Sequence, residues 1–184
     1  MWWFIFATGP SFRRTDAELF RGLGKSIAVN NAVFYAPWSD CLYACDLKWW
    51  QYYSDGLSWY KGERWSHQHY KENRSFTGDC QFASFGGNSG HQALQMAAVK
   101  GAKKICLLGF DQQFTGGIKH CHDDHPTKLG NAPQIDHYPG YMEKTGRDLK
   151  RMGVEVVNCT RETALTMFPR MTPEQFISEN IISR

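Results

Sequence analysis

The chain has 184 residues, with 21 Lys and Arg against 18 Asp and Glu, a net charge of +3 and a pI near 8.5. That length suits a single domain whose core needs no disulfide or metal staple. The mild basicity comes without any Lys/Arg block, which argues against a nucleic-acid partner and leaves room for a small anionic ligand.

In chain order, the apolar opening MWWFIF is too short to span a membrane and carries no basic leader. It reads as a first buried strand in a cytoplasmic protein with no membrane span. Residues 16–23 read as a short helix ended by Gly24, residues 26–29 as a second strand and residues 41–45 as a third, followed by a short helix over 48–53. Cys41 and Cys45 fall on one face of the strand-like CLYAC, so they do not form a zinc knuckle, and the six scattered cysteines read as reduced thiols. The seven tryptophans gather largely between Trp38 and Trp65 in a polar stretch, which suggests rings that line a cleft as well as a core. Residues 54–85, charged, aromatic and histidine-containing, read as a lid or an insertion. Residues 89–100 are the clearest helix, with Gly101 as its stop. A strand follows at 104–108, then a helix at 141–152 stopped by Gly153, then a last strand at 154–157.

This alternation predicts an α/β fold: one Rossmann-like domain over residues 1–184, with a mostly parallel twisted sheet flanked by helices. In such sheets ligands bind beyond the carboxyl ends of the strands. Those ends carry Thr8-Gly9-Pro10-Ser11, Asn30-Asn31, Asp46, Gly109-Phe110-Asp111 and Asn158 to Thr160. A second small-residue turn, Gly87-Asn88-Ser89-Gly90, opens the clearest helix, where free backbone N–H groups and the helix dipole suit a phosphate. Neither turn is a GxGxxG or GxxxxGK[ST] fingerprint, and each alone has a plainer reading, the turn at Asn88 as a helix cap and Asp46 as the cap of the helix after it. The predicted nucleotide-binding residues are Thr8, Gly9, Pro10, Ser11, Asn30, Asn31, Asp46, Asn88, Ser89, Gly90 and Asp111.

The run Lys119-His120-Cys121-His122-Asp123-Asp124-His125 is the densest titratable cluster in the chain. Histidine titrates near neutrality, so an acid/base or substrate-contacting role is assigned to His122, Asp124 and His125. A metal held by His120, His122 and His125 with Asp123 or Asp124, and a merely solvated loop, stay open as alternatives. His137, in His137-Tyr138-Pro139-Gly140-Tyr141, is a second acid/base candidate, although Tyr138 there also reads as a core anchor. No GxSxG elbow is present, and a serine or cysteine nucleophile is not indicated.

The order of these motifs resembles the bacterial CMP-sialic-acid-dependent sialyltransferases of the Campylobacter type and the related domain shared with archaeal 6-hydroxymethylpterin pyrophosphokinases. It resembles still more closely small proteins encoded by tailed bacteriophages. The residues that carry the likeness are Thr8 to Ser11, Asn30-Asn31 with Phe34-Tyr35, Gly87 to Gly90 and Leu107 to Asp111. The phage group adds Pro37 to Asp40, Ala44-Cys45-Asp46 with Trp49-Trp50, Asp124-His125-Pro126 and Asn158-Cys159-Thr160. The resemblance implies a nucleotide-sugar-dependent glycosyltransferase, sialyltransferase-like and working in a host cytoplasm if phage encoded. Thr8, Gly9, Ser11, Asn30 or Asn31, Asn88, Ser89 and Gly90 would then hold the nucleotide. The family's general-base histidine falls on Tyr141, so His120, His122, His125 or His137 would supply the base for an acceptor that the sequence does not identify. Two alternatives stand beside it. One is a non-catalytic module that sequesters a nucleotide metabolite under an aromatic lid around Trp49 and Trp59. The other is a pyrophosphokinase-like enzyme with Mg²⁺ on Asp46, Asp111 and Asp124. Assembly into a homo-oligomer is left open.

Overall fold

The computed structural model describes residues 1–66, 87–126, 129 and 135–182. Six strands form one all-parallel sheet in the order β4-β3-β2-β1-β5-β6: β1 Trp2–Phe6, β2 Lys25–Val29, β3 Cys41–Tyr43, β4 Glu63–Trp65, β5 Lys104–Leu108 and β6 Glu155–Asn158. The helices are α1 Arg14–Leu19, α2 Leu47–Tyr53, α3 Ser89–Val99, α4 Tyr138–Arg151 and α5 Pro173–Ile177, with a 3₁₀ turn at Asn30–Phe34. The α/β, Rossmann-like expectation therefore holds. No helix among the described residues is long and apolar enough to cross a membrane.

Strand alternation splits the interior into two layers, because successive side chains point to opposite faces. Trp2, Phe4 and Phe6 of β1, Ala28 of β2 and Cys106 and Leu108 of β5 pack with Phe20, Trp50 and Phe176 on one face. Ile5, Ile27, Val29, Ile105 and Leu107 pack with Ala93, Leu94 and Ala97 of α3 and Met142 and Leu149 of α4 on the other. Strands buried on both sides must be apolar throughout, which is why WWFIF and KICLL read as continuous runs rather than as alternating ones.

From β1 the chain steps outward through β2, β3 and β4, then returns through α3 to lay β5 against the opposite side of β1. The direction of winding reverses between β1 and β5, and a crevice opens there at the carboxyl edge. The two loops leaving these strands touch: the Ala7 amide donates to the Leu108 carbonyl and the Gly9 amide to the Gly109 carbonyl, each at 2.8 Å. A Cβ on Gly9 would collide with the Asp111 carboxylate and the Gly109 carbonyl, and one on Gly109 with the Ala7 carbonyl. Glycine at both positions is what lets the loops close.

Several boundaries differ from the sequence reading. The first helix runs Arg14–Leu19, beginning two residues and ending four residues earlier than expected, because Phe20 to Leu23 turn toward β2. The third strand stops at Tyr43, two residues short of Cys45. Helix α4 begins at Tyr138 with Pro139 in its first turn, where proline's missing N–H costs nothing. In the segment read as a lid, residues 54–66 contribute a 3₁₀ turn, Ser54–Leu57, and the edge strand β4. The remainder, with Cys80, lies outside the described residues. Helix α5 was not anticipated.

Candidate functional site

A cavity of about 380 Å³ sits in the β1/β5 crevice, within the size range of small-molecule sites. Its floor is Ala7, Thr8, Gly9, Pro10 and Gly109; one side is Val29, Asn30, Cys45, Asp46 and Trp49, and another is Gly87, Asn88, Ser89 and Gly90 at the start of α3. The facing wall carries Gln112, Gln113, Lys119, His120 and His125, with Leu129, Ile135 and Tyr138 beside it. Two turns far apart in sequence, Thr8 to Pro10 and Gly87 to Gly90, thus meet around one volume, as the strand-end argument required.

The first turn of α3 supplies backbone donors that the helix itself leaves without acceptors. Asn88 is its N-cap: the side-chain Oδ1 accepts from the His91 amide at 2.8 Å, and the Gln92 amide bonds the Asn88 carbonyl at 3.2 Å. The helix leaves the amides of Ser89 and Gly90 without intrahelical acceptors, and both residues line the cavity. Ser89 is positioned from the segment that follows β3, its Oγ accepting from the Cys45 amide at 3.0 Å. Asp46 occupies the N-cap position of α2 but makes no side-chain cap hydrogen bond, so its exposed carboxylate remains at the cavity wall.

Two non-glycine residues among those described have positive φ, Asn30 at 51° and Gln112 at 53°, and both line the cavity. Such conformations cost free energy and gather at functional sites. Asn30 Oδ1 is in addition buried with no hydrogen-bond partner among the described residues. Its neighbour is different: Asn31 Oδ1 accepts from Trp49 Nε1 at 2.8 Å and its Nδ2 donates to the Tyr53 hydroxyl at 3.2 Å. Of the asparagine pair, Asn30 faces the cavity and Asn31 braces the aromatic cluster.

Ser11 and Asp111 do not line the cavity. The Ser11 amide donates to Asp111 Oδ2 at 2.8 Å, and Ser11 Oγ accepts from the Glu162 amide at 3.1 Å. Asp111 is fully buried, and burial pushes its carboxyl up to about 6 against the partial relief of the Ser11 hydrogen bonds. Asn158 and Thr160 are also internal: Thr160 N–H donates to Asn158 Oδ1, and Thr160 Oγ1 accepts from the Phe110 amide. The carboxylates of Asp46, Asp111 and Asp124 do not gather into a three-ligand cluster among the described residues. Trp49, buried and hydrogen-bonded, is a fixed wall rather than a lid, and the half-exposed Trp59 packs near Phe34 away from the cavity.

Of the histidines, His120 and His125 line the cavity, His122 stands behind them, and His137 is exposed outside it. Burial lowers His120 and His125 to about 4 and lowers His122 as well, so the imidazoles are neutral at physiological pH and offer lone pairs rather than positive charge. Lys119 is the cation on that wall, and Asp124, exposed, lies 3.7 Å from its Nζ. Tyr138 is a cavity residue whose hydroxyl burial raises in pKa, not a core anchor. Gln112 and Gln113 were missed by the sequence reading. Their only signal was two polar residues immediately after the Gly-Phe-Asp strand end.

Comparisons with protein-family models, with curated proteins and with solved structures returned no match to this chain.

Proposed function

We propose that the cavity binds a nucleotide-activated sugar and that the chain is a sialyltransferase-like glycosyltransferase. The observation that carries this reading is the convergence, at the β1/β5 switch point, of the α3 first-turn amides with Asn30, whose Oδ1 has no hydrogen-bond partner among the described residues. Ser89 and Gly90 amides meet the phosphate, with the Thr8 to Pro10 turn beneath it, while Asn30 Oδ1 accepts an N–H or O–H of the nucleoside. The sugar then points toward the wall of Lys119, His120, His125 and Tyr138, where the acceptor enters.

The test is a thermal-shift and calorimetric screen against CMP, CDP, UDP, GDP, ADP, ATP and their common sugar conjugates, with CMP-sialic acid among them. A ligand that binds only the native state raises Tm by mass action. A cytidine-selective shift is expected. The variant that probes the pocket is Asn30→Gly, since glycine keeps the left-handed backbone and deletes only the side-chain acceptor. Affinity should fall roughly tenfold, about 1.4 kcal/mol, with the unliganded Tm unchanged. Equal affinity would remove Asn30 from the site, and binding without consumption of the donor in the presence of glycan acceptors would leave a sequestering module in place of a transferase.

A further inference from the structure

One nitrogen from each of His120, His122 and His125 lies within 4.8 Å of the other two, and no other such convergence of metal-capable side chains occurs among the described residues. The rings stand 4.9, 5.0 and 4.8 Å apart, centroid to centroid. Gathering three imidazoles strips water from their nitrogens, and at two of them no group among the described residues replaces it: Nε2 of His120 and Nε2 of His122 are buried without a hydrogen-bond partner there. Native structures seldom leave such atoms unsatisfied without a ligand to meet them.

The backbone holds this cluster in place. Between the two stacked rings, the Cys121 amide donates to the Thr8 carbonyl at 3.0 Å and the Cys121 carbonyl accepts from the Tyr35 hydroxyl at 3.2 Å. The His122 Nδ1–H donates to the Asp123 carbonyl at 2.5 Å, which sets the tautomer and leaves the lone pair on Nε2. Metal-ligating imidazoles are oriented by this kind of outer hydrogen bond.

We propose that His120, His122 and His125 bind one divalent transition-metal ion of the zinc class, with its fourth coordination position open to the cavity. Three imidazoles without a carboxylate select Zn²⁺, Co²⁺, Ni²⁺ or Cu²⁺ over Mg²⁺ and Ca²⁺. Bonds of ~2.0 Å to nitrogen place tetrahedral ligand atoms ~3.3 Å apart, which ring movements of about 1 Å reach from the observed spacing. Because His120 and His125 line the cavity, the fourth ligand is water or an oxygen of the cavity's occupant. Asp124, next to Lys119, places negative charge near all three rings and offsets that of the ion. A metal here makes His125 a ligand rather than a proton acceptor, and puts a Lewis acid on the wall that the sugar and the acceptor face in the proposed function. The site itself does not depend on that function.

The test uses the full chain, stripped with chelator and free of nucleotide, titrated with Co²⁺ and followed by its visible ligand-field bands. One equivalent should bind with a tetrahedral-type spectrum and no thiolate charge-transfer band; Zn²⁺ should displace it and Mg²⁺ should not. His122→Ala should weaken Co²⁺ binding roughly tenfold or more, about 1.4 kcal/mol, while His137→Ala, an exposed histidine outside the cluster, should bind like the wild type. If His122→Ala fails to fold by circular dichroism, His122→Asn is measured in its place. A wild-type chain that binds neither Co²⁺ nor Zn²⁺, a His122 variant that binds as well as the wild type, or a thiolate band showing that cysteines hold the ion would each overturn the site.

Discussion

Asp111 ends the central β5 segment with a carboxyl that has no exposed surface, one oxygen bonded to the Ser11 amide and the other without a partner among the described residues. Its pKa rises from 3.8 to about 6. A carboxyl whose folded pKa exceeds its unfolded value binds protons more tightly in the native state. Its contribution is therefore complete below about pH 4 and lost as pH rises through about 6. Asp111→Asn removes this titration, so between about pH 4 and about pH 7.5 the stability difference should move by about 2–3 kcal/mol in favour of the variant. Urea denaturation of both proteins at the two pH values measures it; a difference that does not change with pH would show that Asp111 does not titrate in this range. Residues like Asp111 expose the limit of a linear reading. Its position after a strand marked it for the site, but whether a strand-end side chain turns into the crevice or back into the protein depends on the neighbouring loop, here Gly9 to Ser11.

Helix α3 shows how one element carries two roles that its sequence does not separate. Asn88 caps it and Ser89 and Gly90 face the cavity. Asn88→Ala should cost about 1 kcal/mol of stability through the lost cap, so it is a poor probe of ligand binding. Asn88→Asp keeps the acceptor for the His91 amide and should retain stability in chemical denaturation, yet its charge should weaken nucleotide affinity if the phosphate sits at this terminus. Nucleotide affinity equal to the wild type would place the phosphate elsewhere. The long elements were legible because their patterns are strong: β5 was read with the observed bounds, and β1 and α3 to within one residue. Edge strand β4 was not, since Glu63–Trp65 has three residues and only Trp65 is buried. For α5 a signal was present and unread, the capping box formed by Thr172 and Gln175, with Pro173 at the first helical position.

The whole molecule is closed by contacts between its ends. Phe176 of α5 is fully buried, its ring 4.7 Å from Trp2, 6.2 Å from Phe4 and 5.6 Å from Phe20. Arg161 ties the same region together, pairing with the buried Asp16 of α1 at 2.6 Å and with Glu174 of α5 at 2.7 Å. Phe176→Ala should destabilise the protein by about 3–5 kcal/mol, measured as a fall in the urea midpoint. A loss under about 1 kcal/mol would mean that α5 adds little to the core. The direction of this effect rests on packing between residues more than 150 positions apart, which a local pattern does not reveal.

Hydrophobic runs, glycine stops and helix-capping turns are local, so the sequence by itself determined that this chain alternates strands and helices, that its sheet is parallel, and that polar strand ends collect at one edge. It also singled out the histidine loop by density alone. The direction in which each candidate points is set by contacts between distant segments, and those the tertiary structure decided. Close approach at Gly9 and Gly109 turned Ser11 and Asp111 inward, a left-handed backbone turned Asn30 outward beside a buried Asn31, and the bonds from Cys121 to Thr8 and Tyr35 drew three histidines of an irregular loop to within reach of one another.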